Sequence, residues 1–430
     1  MKINFLERTA LAWGIGLGLL GMEMFVLSLF DIPLNLLTSS LPALIIIGIF
    51  LLFLKPKIKL NILLPNISIT ESILFILIAV IVIYVFFDAL VKPIVNFDDL
   101  WRQGAIAKLI FTTGKVLTPQ AIELAGPHPY LNPLSQAWIY MGIGTWNDAI
   151  GKIVFPLCFV ALILIFYFNL RQEMDRLKAL FFTLLLTSFP LIIYHVGTAY
   201  SDFMQTFYYS VGVIYLFRWM RINKHSFLCF SAIYFGLGCF VKQLGIPLWI
   251  IAYFILLLYI FLENRQENKS GLTFLVTTII VAFPWLINPK SSLISQFQLL
   301  INKMIPVASN NQPAILPSIS TALPYGTPSL VNIINQISKR MFTYADWQIL
   351  WFVLIIVLIF NWRQIWGSKL KLVFLIILLN LLLIIYAFTE QNAYNFLIDG
   401  TLVERIMMYQ IPVVLFLIAL CSNEKYLCPK

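Results

Sequence analysis

Ser72–Val91 reads SILFILIAVIVIYVFFDALV, and a few residues later Asn96–Gly104 reads NFDDLWRQG. A helix of about 20 apolar residues spans the roughly 30 Å hydrocarbon core of a bilayer, so the first stretch is a membrane span. The second begins the most polar early segment of the chain, with adjacent carboxylates at Asp98 and Asp99 directly outside that span. Carboxylates so placed are costly unless water, a cation or a substrate meets them. They either line the polar face of a surface helix or carry chemistry.

The rest of the chain has the same character. Of 430 residues, 60% are hydrophobic and 11% charged, and the mean hydropathy is +0.90. Soluble domains carry roughly 25% charge, so the fold class expected is all-α, a polytopic transmembrane helix bundle forming a single domain over 1–430. The first apolar run is too long for a signal-peptide core and lacks a small-residue cleavage site, so it reads as a retained span. The five cysteines, Cys158, Cys229, Cys239, Cys421 and Cys428, lie in or beside apolar runs and show neither metal spacing nor a disulfide framework.

Twelve spans are read, near 9–30, 34–54, 72–91, 149–170, 177–196, 203–220, 226–241, 246–262, 271–287, 346–361, 371–388 and 405–421. With both termini in the cytoplasm, the basic clusters at Lys55–Lys59, Arg171–Lys178, Arg218–Lys224 and Arg363–Lys371 all fall inside, as the positive-inside rule requires. The net charge of +10 is therefore a topology signal, and no nucleic-acid partner is needed to explain it. The N-x-[ST] matches at Asn66 and Asn268 fall in cytoplasmic loops and read as chance.

Two long connections, 92–148 and 288–345, lie outside. The first is expected to hold two interfacial helices. Over Asp98–Phe111 the polar residues Asp98, Asp99, Arg102 and Gln103 recur on one face, and Pro133–Trp146 repeats the pattern with Ser135, Gln136 and Tyr140. Prolines 127, 129 and 133 keep the stretch between them out of helix. The second connection is rich in Pro, Ser and Asn and reads as either a lid or a loop.

Sidedness gathers Asp98, Asp99, Arg102, His128, His195, Tyr200, Asp202, Lys242, Glu404 and Arg405 on the outer face. Each has a plain alternative. Lys242 snorkels, Asp202 caps the span starting at Phe203, His195 is a satisfied helix-end residue, and Glu404 pairs with Arg405. Glu23, alone in its span, has no assigned role. Together the outer residues supply acids and cations on one side, which suits an anionic lipid-linked substrate.

The order of these motifs resembles the GT-C superfamily of membrane glycosyltransferases, especially the group of lipid A aminoarabinose transferases and protein O-mannosyltransferases. Asp98-Asp99, followed by a helix ending Thr112-Thr113-Gly114, is similar to the family's acidic pair in the first outer loop. His128-Pro129-Tyr130-Leu131-Asn132-Pro133-Leu134, then Gly144 and Lys152, is similar to its Pro-rich segment and the residues after it. Tyr200-Ser201-Asp202, Gly236–Lys242, Phe283-Pro284-Trp285 and Glu404–Tyr409 follow in the family's order. The chain departs in having Asp99 where Glu is commoner, His128 where Lys is common and Gln243 where Gly is usual.

Chemistry alone leads to the same place. A sugar on a polyprenyl phosphate leaves an anion, so cations must meet the phosphate oxygen as charge develops. A carboxylate must take the proton of the acceptor hydroxyl. Asp98 is expected as base, with Asp99 orienting it or binding a cation, and Asp202 assisting the acceptor or a divalent ion. Lys242, Arg405, His128 and Arg102 are expected to hold the phosphate. Asp98, Asp99 and Asp202 are also the candidate ligands for magnesium or manganese. One displacement with one base implies an inverting glycosyltransferase, as the resemblance does, acting on a lipid, glycan or protein acceptor at the outer face of the plasma membrane. A polysaccharide ligase or polymerase and a secondary transporter are the alternatives. The first would place a large outer loop late in the chain, led by Arg and His; the second would place polar residues at the midplane.

Overall fold

The computed structural model describes residues 3–54, 67–126, 128–286 and 327–423. Within them the chain is helical, and every apolar run read from the sequence lies on helix. The order is α1 Phe5–Leu29, α2 Leu36–Leu54, α3 Ile69–Val91, α4 Gly104–Thr113, α5 Pro119–Ala125, α6 Leu131–Ile143, α7 Asp148–Gly151, α8 Val154–Arg171, α9 Arg176–Thr187, α10 Pro190–Gly197, α11 Ser201–Ile222, α12 His225–Val241, α13 Gly245–Glu263 and α14 Asn268–Leu286. After residues outside the description come α15 Leu330–Thr343, α16 Leu350–Gly367, α17 Leu370–Ala387, α18 Gln391–Ile398, α19 Val403–Met407 and α20 Ile411–Cys421. Among the described residues seven helices are long and apolar enough to cross a membrane, or eight with one bent pair counted as a single span. Among the runs beyond these, His225–Val241 is short, and α11 is studded with polar side chains.

That polarity has a structural reason. Ser201 to Met220 are all buried, so α11 is the central post, and protein rather than lipid meets Gln205, Thr206, Ser210 and Arg218. It packs on α8 and α12. At about 1.5 Å per residue its 22 residues run about 33 Å, from Asp202 at one end to Arg218 and Arg221 at the other. At the Arg218 end the basic residues meet acids from other helices. Arg218 pairs with Glu7 at 2.5 Å, Arg176 with Glu71 at 2.5 Å and Lys371 with Glu263 at 2.6 Å. The basic clusters after Arg171, Arg218 and Arg363 and the acidic pair thus occupy opposite ends of the bundle, while the cluster at Lys55–Lys59 lies outside the described residues.

The long connection after α3 is built differently from the amphipathic pair expected. Asp99–Gln103 forms a π-helical turn leading into α4. This wider turn splits the polar stripe. Asp99 and Gln103 point inward, 0% and 8% exposed, while Phe97 and Trp101 lie exposed at the rim, where aromatic residues favour a membrane interface. The second helix, α6, is buried and not interfacial: Leu131 to Ala137, Tyr140 and Met141 are all covered, by packing against α1 and α4. Among its polar residues Asn132 reaches the joint before α11, and Ser135, Gln136 and Tyr140 bond within α6. The span read at 177–196 is two helices, α9 and α10, bent by 61° at Ser188–Phe189. Pro190 opens α10 at a position where its missing N–H costs nothing. The proline-rich part of the second connection lies outside the described residues, except for its end, α15.

Candidate active site

The joint between α10 and α11, Gly197–Ser201, positions the site. Asp99 Oδ2 accepts from Ala199 N–H at 3.0 Å. Asn132 donates to Ala199 O at 2.7 Å and to Ser201 Oγ at 3.0 Å, and Gln136 in turn donates to Asn132 Oδ1 at 2.9 Å. Lys152 Nζ donates to Gly197 O at 3.0 Å. Three motif residues scattered over 54 positions of sequence therefore hold one turn, and that turn aims Asp202.

Lys242 is aimed by a second device. It ends α12 with an extended backbone (φ −152°, ψ 147°), and the chain reverses so tightly that a Cβ on Gly245 would lie 2.3 Å from Gly238 O. Only glycine fits there.

Asp202, 0% exposed, is the hub of the cluster. Its Oδ1 accepts from Lys242 Nζ at 2.5 Å and from Tyr409 OH at 2.6 Å. Its Oδ2 accepts from Arg405 Nε at 3.0 Å and Nη2 at 2.8 Å. Arg405 reaches on with Nη1 to Asp98 Oδ2 at 2.8 Å and lies 4.2 Å over the Tyr200 ring. Arg102 Nη1 donates to His128 Nε2 at 3.0 Å.

Of the three candidate acids, only Asp98 is open, its side chain 35% exposed. Asp99 faces the protein, and burial pushes its carboxyl up to about 8 against the lesser pull of the Ala199 N–H. It is thus largely uncharged near neutrality. His128 is held down to about 4, chiefly by burial and then by the charges of Arg102 and Lys242, so it is neutral and orients Arg102 instead of adding a charge of its own. Asp98 and Asp202 balance Lys242 and Arg405. Arg102, which has no carboxylate partner among the described residues, leaves the cluster with a surplus of one positive charge.

Two plainer expectations are corrected. Asp202 is no helix cap, since no side chain caps α11. Glu404 does not pair with Arg405; it pairs with Arg340, 64 residues earlier. Tyr409 and Arg340 are site residues that the sequence did not single out. Tyr409 lies one turn beyond Arg405, a spacing that signals a shared face, whereas nothing local announces Arg340. The acid trio does not suit a divalent metal as arranged. Both Asp202 oxygens are engaged by cations and Tyr409, Asp99 is turned to the backbone, and among the described residues no three His, Cys, Asp or Glu side chains group as a metal would require.

The cluster opens on a cavity of about 1190 Å³, lined by Asp98, Arg102, His128, His195, Tyr200, Lys242 and Arg405 on one side and by residues from α15 to α19 on the other. His195, 2% exposed, borders it with Nδ1 unbonded among the described residues.

No family model and no curated protein matches the chain. Among solved structures it is similar to ArnT from Cupriavidus metallidurans bound to undecaprenyl phosphate, with a TM-score of 0.50 and 12% identity. It is similar also to the same protein in the apo state, with a TM-score of 0.51 and 12% identity. Each likeness covers 82% of this chain and 60% of that one, so the chain spans about three fifths of ArnT's length. The resemblance carried by the order of the motifs is thus met by a likeness in fold to a GT-C enzyme, the lipid A aminoarabinose transferase ArnT.

Proposed function

We propose that the chain is an inverting glycosyltransferase that moves a sugar from a polyprenyl-phosphate donor to an acceptor hydroxyl on the outer face of the plasma membrane. The observation that carries the reading is the open Asp98 carboxylate, held by Arg405 at the mouth of a large cavity beside Lys242. The surplus charge of the cluster suits one phosphodiester anion. The sidedness follows from the basic end of the bundle facing the cytoplasm. That ArnT was crystallised with undecaprenyl phosphate on the same fold supports a lipid phosphate as donor.

In this reading the acceptor oxygen attacks the anomeric carbon as its proton passes to Asp98. The bond from that carbon to the phosphate oxygen breaks, and the electron pair leaves with the polyprenyl phosphate. Arg102, Arg405 and Lys242 stabilise the charge that grows on the leaving group, and Asp202 holds the latter two cations in place. Asp99 serves the fold of the site by fixing the joint. No step is routed through a metal. The placing of the ionisable groups at one end of a long helix, and not at its middle, favours this reading over a transporter.

The test is mass spectrometry of lipid-linked sugars in a deletion strain. The strain should accumulate one polyprenyl-phosphate sugar, and the wild-type gene should clear it. Asp98→Asn, which keeps size and hydrogen bonding but loses proton affinity, should insert normally yet turn over at least about 10²-fold more slowly. A strain with no such accumulation, or an Asp98→Asn protein that clears it at the wild-type rate, overturns the proposal.

A further inference from the structure

The far wall of the same cavity carries a second polar group that the transfer chemistry does not use. Arg340 of α15 forms an ion pair with Glu404 and donates from Nη2 to Ile398 O at 3.4 Å. The chain is shaped around the guanidinium. Gly400 sits at φ +82°, and a Cβ there would lie 2.4 Å from Arg340 Nη2. Arg340 and Glu404 border the cavity, and each residue is 9% exposed. Yet Arg340 Nε and Glu404 Oε2 are buried with no hydrogen-bond partner among the described residues.

An unpaired buried donor beside an unpaired buried acceptor is costly, and it has a definite chemical complement. A hydroxyl both accepts and donates, so adjacent hydroxyls of a sugar ring satisfy the Arg340 N–H and the Glu404 oxygen together. A phosphate, which only accepts, would leave Glu404 repelled. The acids Asp346 and Asp399 border the same wall and disfavour an anion further. Tyr344 and Phe396, 42% and 49% exposed, supply the aromatic faces on which the apolar side of a ring can lie. Glu404 directly precedes Arg405 in the chain, so the wall begins one residue from the cation assigned to the phosphate. We propose that Arg340 and Glu404 form the subsite for the sugar ring of the lipid-phosphate donor. This rests on the donor reading given above and adds to it the residues that sense the sugar.

The experiment compares the affinity of the purified full chain, in detergent micelles, for bare undecaprenyl phosphate and for undecaprenyl phosphate carrying a single hexose or pentose from a panel. The wild type should bind at least one loaded lipid about tenfold more tightly than the bare one. Glu404→Gln and Arg340→Lys should each bring that ratio close to one while leaving affinity for the bare lipid within about twofold. Should Arg340→Lys fail to fold, Glu404→Gln, which preserves shape and one acceptor, decides alone. Variants that keep the wild-type ratio overturn the subsite, as does a parallel loss of both affinities, which would mark the pair as a structural brace. A wild type that binds bare lipid but prefers no loaded one overturns the subsite and spares the donor reading. A wild type that binds no undecaprenyl phosphate at all overturns both.

Discussion

Replacing Asp202 by asparagine separates the roles of the three charges around it. Four hydrogen bonds end on the carboxylate, one from Lys242, two from Arg405 and one from Tyr409. Asparagine offers one acceptor oxygen and turns two hydrogens toward groups that are themselves donors. Arg405 would keep Asp98 at 2.8 Å. Lys242, its side chain 16% exposed, would keep only the Tyr409 hydroxyl at 3.1 Å. Breaking a buried pair in this way costs about 3–5 kcal/mol because an uncompensated charge stays behind, against a total stability of about 5–15 kcal/mol for ordinary domains. Unfolding of the purified variant in mixed micelles, followed by tryptophan fluorescence, should show a loss of that size. A ligand at 100 times its dissociation constant adds about 2.7 kcal/mol. Undecaprenyl phosphate should therefore stabilise Asp202→Asn more than it stabilises the wild type, since the anion no longer competes with the carboxylate for Lys242 and Arg405. A variant as stable as the wild type without lipid would refute the hub assignment. A variant that lipid stabilises less than the wild type would refute the phosphate assignment of the two cations.

Asp99 and the topology give two further expectations. The folded protein keeps the Asp99 proton up to about pH 8, whereas the unfolded chain releases it near pH 4. Stability from this group is therefore greatest at low pH and falls between about pH 4 and 8, by up to about 1.4 kcal/mol per unit. Asp99→Asn, which still accepts from Ala199 N–H, should lose that slope and gain on the wild type as pH rises; parallel pH profiles of unfolding for the two proteins would sink the idea. With the native cysteines replaced, a single cysteine at Gln120 should react with an impermeant thiol reagent added outside cells and one at Asn223 should not. The reverse pattern would turn the proposed site to the cytoplasm.

How much of this was legible in the sequence depends on the range of the forces involved. Hydropathy is a property of each residue and its near neighbours, so the all-helical, membrane-spanning class, the apolar runs and the clustering of basic residues could be read directly. Asp98, Arg102, His128, Asp202, Lys242 and Arg405 could be gathered too, because sidedness sorts residues without fine geometry. What each of them does depends on partners far away in the chain. Asp98 and Asp202, which read alike, share Arg405, more than 200 residues from either, and are set apart by Lys242 and Tyr409, which bond Asp202. Asp98 and Asp99 are neighbours on what looked like one helical stripe, yet a single π-helical turn sends one to the cavity and the other into the protein. The helix α6 read as interfacial because its polar residues looked solvent-bound; they are buried, Ser135, Gln136 and Tyr140 bonding within the helix and Asn132 bonding the α10–α11 joint, 67 and 69 residues away. Composition and periodicity set where the chain meets lipid. Only the packing of α11 among its neighbours decided which carboxylate is free, which is spent on cations and which is held without charge, because burial and partner geometry, not residue type, determine the state of an ionisable group.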